Sequence, residues 1–269
     1  LGNYALDAYC CTRDFDCKII NTEHNAYDRP GFFKNRPDII KMKYEINKKF
    51  DGVTVLTEAD TKVPGVPTDN MFVLPNPLAF NPIKAIPQKE KTILAAGRLD
   101  VWDVKGFDVL IEAWGMVAKK FPDWTLKIAG TGTDASFELL KSMAKSNDVD
   151  SQVIFLGFCG NINEEYKKSS IFVLSSRHEG FGLVLIEAMS QACACDFGGR
   201  QKEIIQNSNQ GIVCESNNSS SLSKAITKMI ENEKYRNLCM INAIERSKYY
   251  SIEETMKRWD IIFSKIGLK

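Results

Sequence analysis

Ile171-Phe172-Val173-Leu174, then Ser175-Ser176-Arg177-His178-Glu179-Gly180-Phe181-Gly182, then Leu183-Val184-Leu185-Ile186-Glu187: an apolar run, a polar loop with two glycines, and a second apolar run. The first run reads as a strand and Leu183 to Ser190 as a helix, so the passage is strand, loop, helix. Gly180 and Gly182 let backbone approach a ligand closely. The helix beginning near Leu183 offers N–H groups and the positive end of its dipole, which suit an anion. Glu187 stands eight residues after Glu179. It lies about one turn into the helix, where a carboxylate can accept hydrogen bonds from the two hydroxyls of a ribose. The structural alternative has Glu187 in a salt bridge and Glu179 capping the helix. Glu-x7-Glu spacing alone is weak; the glycines, Phe181 and the strand–loop–helix context make the pattern specific.

The same unit recurs outward along the chain. Lys91 to Ala96 reads as a strand ending in Gly97, and Phe107, Leu110, Ile111, Trp114 and Ala118 repeat at helical spacing before Pro122. Trp124 to Ala129 is a strand followed by Gly130-Thr131-Gly132, Phe137 to Ala144 a helix, Val153 to Leu156 a strand ending in Gly157, and Glu164 to Ser169 a short helix. Downstream come a short helix at Lys202 to Gln206, a final strand at Ile212 to Cys214, and helices over roughly 220–231, 235–248 and 252–266. Upstream, strands at Cys17 to Thr22, Gly52 to Leu56 and Met71 to Leu74 accompany a helix over Ile39 to Phe50. Pro75, Pro77, Pro82 and Pro87 then mark a linker. Alternation of this kind means parallel strands joined by crossovers, hence an α/β chain with parallel sheet. Ligands in such sheets bind where strands end and helices begin, and the glycine loops after Ala96, Ala129, Leu156 and Leu174 fall there.

The predicted division is a partial N-terminal domain over 1–80, a larger C-terminal domain over 81–249, and a C-terminal helix over 250–269 that packs back on the N-terminal part. Apolar residues make up 44% of the 269, so a sizeable core is expected. With 35 basic and 34 acidic residues the net charge is +1, which argues against a nucleic-acid partner. The exception is Arg29 to Lys49, with Arg29, Lys34, Arg36, Lys41, Lys43, Lys48 and Lys49 against Asp38 and Glu45. A solvated face is the first reading of it; contact with anionic lipid or an anionic acceptor is the second. None of the eight cysteines has metal-site spacing, so they are expected to be reduced and mostly core-filling. No apolar run is long enough to span a bilayer and no signal peptide is visible, which predicts a cytoplasmic protein, peripheral at the membrane under the lipid reading. The chain starts at Leu1 in mid-flow, as expected of a fragment lacking its natural N-terminus.

Other constellations bear on chemistry. Gly97-Arg98 is followed seven residues after Arg98 by Lys105. A departing diphosphate needs positive charge where negative charge develops, and these two cations supply it unless they are simply surface charges in a loop. Gly130-Thr131-Gly132 resembles a dinucleotide fingerprint but lacks the third glycine; it reads as a tight loop touching phosphate or sugar, or as a turn. A dinucleotide oxidoreductase would need the full fingerprint. His24 sits at the end of the first strand, where a histidine is either structural or catalytic. Asp14-Phe15-Asp16 and Asp148-Val149-Asp150 match the Asp-x-Asp of metal-dependent glycosyltransferases, but solvated turn aspartates are the better reading, so no metal is expected.

From about Lys18 to Ile205 these residues resemble glycosyltransferase family 4, retaining enzymes of the GT-B fold with two Rossmann-like domains. Ala96-Gly97-Arg98, Lys105-Gly106, Ile128-Ala129-Gly130-Thr131-Gly132, Phe155-Leu156-Gly157 and Ser176 through Ala188 carry the likeness most specifically. Gly198-Gly199-Arg200-Gln201-Lys202-Glu203-Ile204-Ile205 is similar to members that build bacterial surface polysaccharides. The resemblance implies a metal-independent enzyme that takes a nucleoside diphosphate sugar as donor and a glycan or lipid-linked hydroxyl as acceptor. It implies that Arg98 and Lys105 hold the diphosphate, that Glu179, Gly180, Phe181 and Gly182 face the sugar, and that Leu183 opens the anion-binding helix. It further implies that Glu187 holds the ribose, that Gly157 and Phe158 lie by the base, and that His24 reaches the site from the N-terminal domain. The sequence departs from the family in a short N-terminal part without its opening strands and glycine-rich loop. It also departs in a shortened Met189 to Asp196 passage, expected to strain or remove the next strand. A truncated, non-catalytic nucleotide-sugar binder is the alternative.

Overall fold

The computed structural model describes residues 2–27, 36–66, 68–191, 194–198 and 203–268. In chain order its elements are α1 (Gly2–Thr12), β1 (Ile20–Thr22), α2 (Pro37–Lys41), β2 (Gly52–Val55), α3 (Glu58–Thr61), β3 (Met71–Val73), β4 (Glu90–Ala96), α4 (Trp102–Lys105), α5 (Phe107–Gly115), β5 (Thr125–Ala129), α6 (Asp134–Ser146), β6 (Val153–Gly157), α7 (Ile162–Lys168), β7 (Ser169–Leu174), α8 (Leu183–Ser190), β8 (Ala194–Gly198), β9 (Gly211–Cys214), α9 (Ser219–Glu231), α10 (Glu233–Ser247) and α11 (Ile252–Lys265). The chain divides into two compact units. The first holds Leu1–Pro77, Glu179–Phe181 and Tyr250–Lys269, and the second Leu78–His178 and Gly182–Tyr249.

The second unit is built on six parallel strands in the order β6-β5-β4-β7-β8-β9. Every residue of β7 and the last five of β4 are buried, as central strands covered on both faces require. Ile93, Leu126, Ile128, Ile171 and Val173 pack with Leu110, Ile111 and Trp114 of α5, Leu140 of α6 and Ile226 of α9 in one apolar cluster. Helix starts are marked by side chains: Thr133 accepts from Ser136 N at α6, Asn218 from Ser221 N at α9 and Asn232 from Tyr235 N at α10.

The first unit has three parallel strands in the order β1-β2-β3. Tyr27, Met42, Ile46, Phe50, Val53, Val55 and Val66 form its apolar cluster. Here α11 lies with Phe72, whose ring sits 5.8 Å from Lys265 Nζ, and Tyr250 meets Phe181 edge to face at 5.7 Å.

Several sequence expectations change. The helix expected over Ile39 to Phe50 is α2 followed by a π-helical turn, Met42–Ile46, and a 3-10 turn, Asn47–Lys49. A uniform helical period does not fit a segment that turns Lys43 inward. Lys43 is 2% exposed, so it leaves the solvated basic face to which the sequence assigned it. Arg29 and Lys34 lie outside the described residues, and so do positions 199–202 of the polysaccharide-type run. The passage after α8 was expected to strain or remove its strand; β8 is not removed, being paired in parallel with β7 and β9. Core-filling also fails for most described cysteines: Cys10, Cys11 and Cys17 are exposed, Cys159 and Cys214 half-buried, and Cys239 alone of these is buried. Cys193 lies outside the described residues. Asp14 and Asp16 are exposed, and Asp148 turns the chain with a φ of 56°. Among the described residues no helix is long and apolar enough to cross a membrane, and no group of three metal-binding side chains is assembled.

Candidate functional site: the carboxyl ends of β4 and β7

Numbered within the second unit, the strand order is 3-2-1-4-5-6, and it reverses between β4 and β7. Crossovers leave to opposite faces there, so the loops after these two strands open a crevice at their carboxyl ends. The candidate residues of this unit fall on that rim: Gly97, Arg98 and Lys105 after β4, Gly130, Thr131 and Gly132 after β5, Gly157 and Phe158 at the end of β6, and Gly182, Leu183 and Glu187 at and within α8.

The loops are bonded to one another in series. Gly130 N donates to Gly157 O at 2.8 Å, Gly97 N to Ala129 O at 3.0 Å, and Leu99 N to Thr131 O at 2.7 Å. Gly130 has a φ of +148°, and a Cβ there would stand 1.8 Å from Gly97 O. Only glycine permits that approach. At the reversal, Gly106 has a φ of +65° and closes α4, while a Cβ on it would meet Ser175 O at 2.0 Å. Ser175 Oγ donates to Lys105 O at 2.9 Å, and Arg177 N to Val104 O at 2.9 Å. The Arg177 guanidinium grips Asp108 of α5 with two hydrogen bonds, 2.8 and 2.7 Å, and donates to Asp103 O. Asp108 holds the Arg177 guanidinium above its ordinary pKa, so it stays charged. The loop after β7 is thus pinned to the segment that carries Lys105, whose stem lies about 3.3 Å from where a Gly97 Cβ would be.

Charge around this rim is uneven. Arg98 is mostly exposed and bonded in a fork to Asp100, which holds the Asp100 carboxyl below its usual range. Gly182 starts α8 with a φ of 98° and, having no side chain, offers the first N–H groups no cap of its own. Glu187 is half-buried. Burial pushes its carboxyl up, and the Tyr166 hydroxyl, donating to Oε2 at 3.2 Å, acts the other way. Phe158 is 79% exposed, an aromatic face open to a planar ligand.

In the first unit, His24 is exposed and follows β1. Glu179 and Gly180 are half-buried and Phe181 buried; a Cβ on Gly180 would approach His24 O to 2.9 Å. The structure therefore divides the predicted residues into two sets, His24, Glu179, Gly180 and Phe181 in this unit and the rest on the second unit's rim. Sequence reading missed Arg177 as a clamp, although it lies in the decisive loop. It also missed Asp100, although Asp100 lies only two residues from Arg98, and it missed Asp108 and Tyr166, since a partner 69 residues away for Arg177, or 21 for Glu187, leaves no local pattern.

Residues 79–246 match the family model described as glycosyl transferases group 1. A curated relative from Haemophilus influenzae, named an uncharacterized glycosyltransferase, is 32% identical over 91% of this chain and 69% of its own length. The poly(glycerol-phosphate) alpha-glucosyltransferase of Bacillus subtilis is 25% identical over 90% of this chain but only 36% of its own, so the chain spans part of the relatives it matches. Among solved structures, a point mutant of S. aureus TarM with fondaparinux, alpha-GlcNAc-glycerol and UDP superposes with a TM-score of 0.82 at 22% identity, covering 97% of this chain and 53% of that one. Anabaena HepE with UDP gives 0.86 at 16% identity, covering 98% and 77%. The fold is that of the GT-B glycosyltransferases, and the chain belongs to the group 1 glycosyltransferase family.

Proposed function

We propose that this chain carries the donor side of a retaining, family 4 glycosyltransferase that moves a sugar from a nucleoside diphosphate to a hydroxyl of a polysaccharide or glycolipid acceptor. The observation that carries this reading is the reversal between β4 and β7, with the Lys105 segment and the Arg177 loop bonded across it beside the glycine that starts α8. In this reading Arg98, Lys105 and the N-terminus of α8 take the diphosphate, stabilising charge as it leaves. Gly97, Gly130, Thr131 and Gly132 bring backbone close to phosphate and sugar. Glu187 accepts from the ribose hydroxyls, and Phe158, next to Gly157, takes the base. His24, Glu179, Gly180 and Phe181 keep the sugar-side roles that the resemblance implies. The acceptor hydroxyl attacks the anomeric carbon on the face the diphosphate leaves. The bond from that carbon to the phosphate oxygen breaks as the new one forms, and the phosphate oxygen takes the hydroxyl proton. No metal takes part, and the enzyme works in the cytoplasm, where the basic segment of the first unit suits an anionic membrane surface.

Solved structures of this fold, those of TarM and HepE among them, hold UDP, which makes UDP the first nucleotide to try. Calorimetric titration with UDP, and separately GDP, in buffer containing EDTA should give a Kd on the order of micromolar for one of them. Glu187→Ala should weaken that binding about tenfold or more. No heat with either nucleotide would remove the donor-site assignment.

A further inference from the structure

The buried face of α7 makes a polar contact with α8, and it falls on Glu187. Tyr166 of α7 is 0% exposed. Its ring is held edge to face against Phe172 of β7 at 5.5 Å and tilted against Phe80 at 6.4 Å. Its backbone carbonyl accepts from Lys89 Nζ at 3.2 Å, and the same ammonium donates to Gln191 O at 2.8 Å, just past the end of α8. Gln191 in turn donates to Asn81 O at 3.1 Å, so the segment before β4 ties both helices down. The Tyr166 hydroxyl is therefore delivered by a ring with almost no freedom, and it donates to Glu187 Oε2 at 3.2 Å. Among the described residues, no cation pairs with this carboxylate.

A half-buried carboxylate held by one neutral donor is poised to accept further hydrogen bonds, since each carboxylate oxygen has two acceptor sites. Fixing one oxygen fixes the plane in which the other presents its lone pairs. A vicinal diol offers two O–H donors a fixed distance apart, so its recognition depends on that plane. We infer that Tyr166 is a positioning residue whose hydroxyl orients Glu187 for the 2′,3′-diol of a bound nucleotide, and so makes the site selective for a ribonucleotide. This rests on the proposed nucleotide site. Without the hydroxyl, Glu187 also loses the hydrogen bond that opposes the effect of its burial, which leaves more of it protonated and less able to accept.

The test compares UDP with 2′,3′-dideoxyuridine diphosphate by calorimetry, on the wild-type chain and on Tyr166→Phe, a variant that keeps the ring contacts. The wild type should prefer UDP about tenfold or more, the scale of hydrogen bonds to a charged group. Tyr166→Phe should weaken UDP by about fivefold to tenfold and leave the dideoxy compound within about twofold. In a Glu187→Ala background, Tyr166→Phe should add no further loss, because the tyrosine acts through that carboxylate. Equal weakening of both ligands would show that Tyr166 only supports the fold, and would overturn the inference. So would wild-type binding that ignores the diol, which leaves the nucleotide site standing while removing Glu187 from the ribose. No heat with UDP on the wild type would instead bring down the donor-site reading, and this inference with it.

Discussion

Glu187 is the residue at which stability and the proposed ribose contact pull in opposite directions. Burial raises its folded-state pKa above the ordinary value of 4.5. The folded state then holds its proton to higher pH than the unfolded chain does. Between the two pKa values the folded state binds more protons, so this group's contribution to stability is intact below 4.5 and is lost as pH rises through the folded value. Glu187→Gln removes the titration. Its melting temperature should gain on the wild type as pH rises through that window and then hold that gain, even as its UDP affinity falls. A constant difference across pH would show that Glu187 does not titrate in this way. Lys43 is the converse case. Its ammonium lies 3.7 Å from Glu23, donates to Ala26 O at 3.3 Å, and stands 4.2 Å over the Tyr27 ring. Removing it leaves the largely buried Glu23 without its cation, so Lys43→Ala should cost about 3 kcal/mol in denaturant unfolding. Nothing in the run Lys41-Met42-Lys43-Tyr44 tells which lysine turns inward. That depends on where β1 and its following loop place Glu23, which is information of tertiary packing.

At the scale of elements, the strands and helices of the second unit were legible because parallel strands buried on both faces are runs of apolar residues bounded by glycine. β4, β5, β6, β7 and α8 all start or end within two residues of their sequence-based limits. β8 escaped that reading. Ala194-Cys195-Asp196-Phe197-Gly198 has neither alternation nor a β-branched run, and pairing with β7 and β9 makes it a strand. α1 escaped as well, since Gly2 to Thr12 has no sustained apolar stripe. Gly130 was read as part of a tight loop touching phosphate or sugar, or as a turn, and the structure adds that a Cβ there would meet the Gly97 carbonyl. Gly130→Ala should therefore destabilise by about 2 kcal/mol or more in chemical unfolding, because backbone on both loops must move. It should also weaken UDP if Gly97 carries the loop proposed to take the diphosphate. A variant with unchanged stability would mean that the series of bonds from Gly157 to Gly97 is looser than these distances state.

For the molecule as a whole, each unit owns its apolar cluster. The large one runs from Ile93 to Met240 and the small one from Tyr27 to Val66. A unit with its own core can fold alone. Residues 78–249 expressed by themselves should therefore unfold cooperatively, by coincident far-UV and fluorescence transitions. The same piece discriminates among the residues assigned to the site. Arg98, Lys105, the start of α8 and Glu187 are all in it, whereas His24 is not. If the nucleotide is held as assigned, UDP binding should survive within about threefold, well inside the tenfold that 1.4 kcal/mol represents. Transfer should vanish, because His24 is gone and with it the histidine that the family resemblance places by the sugar. Loss of UDP binding from a cooperatively folded piece would overturn the assignment of the nucleotide to these residues. It would also leave the strand-order reversal a feature of the fold and not the seat of the donor.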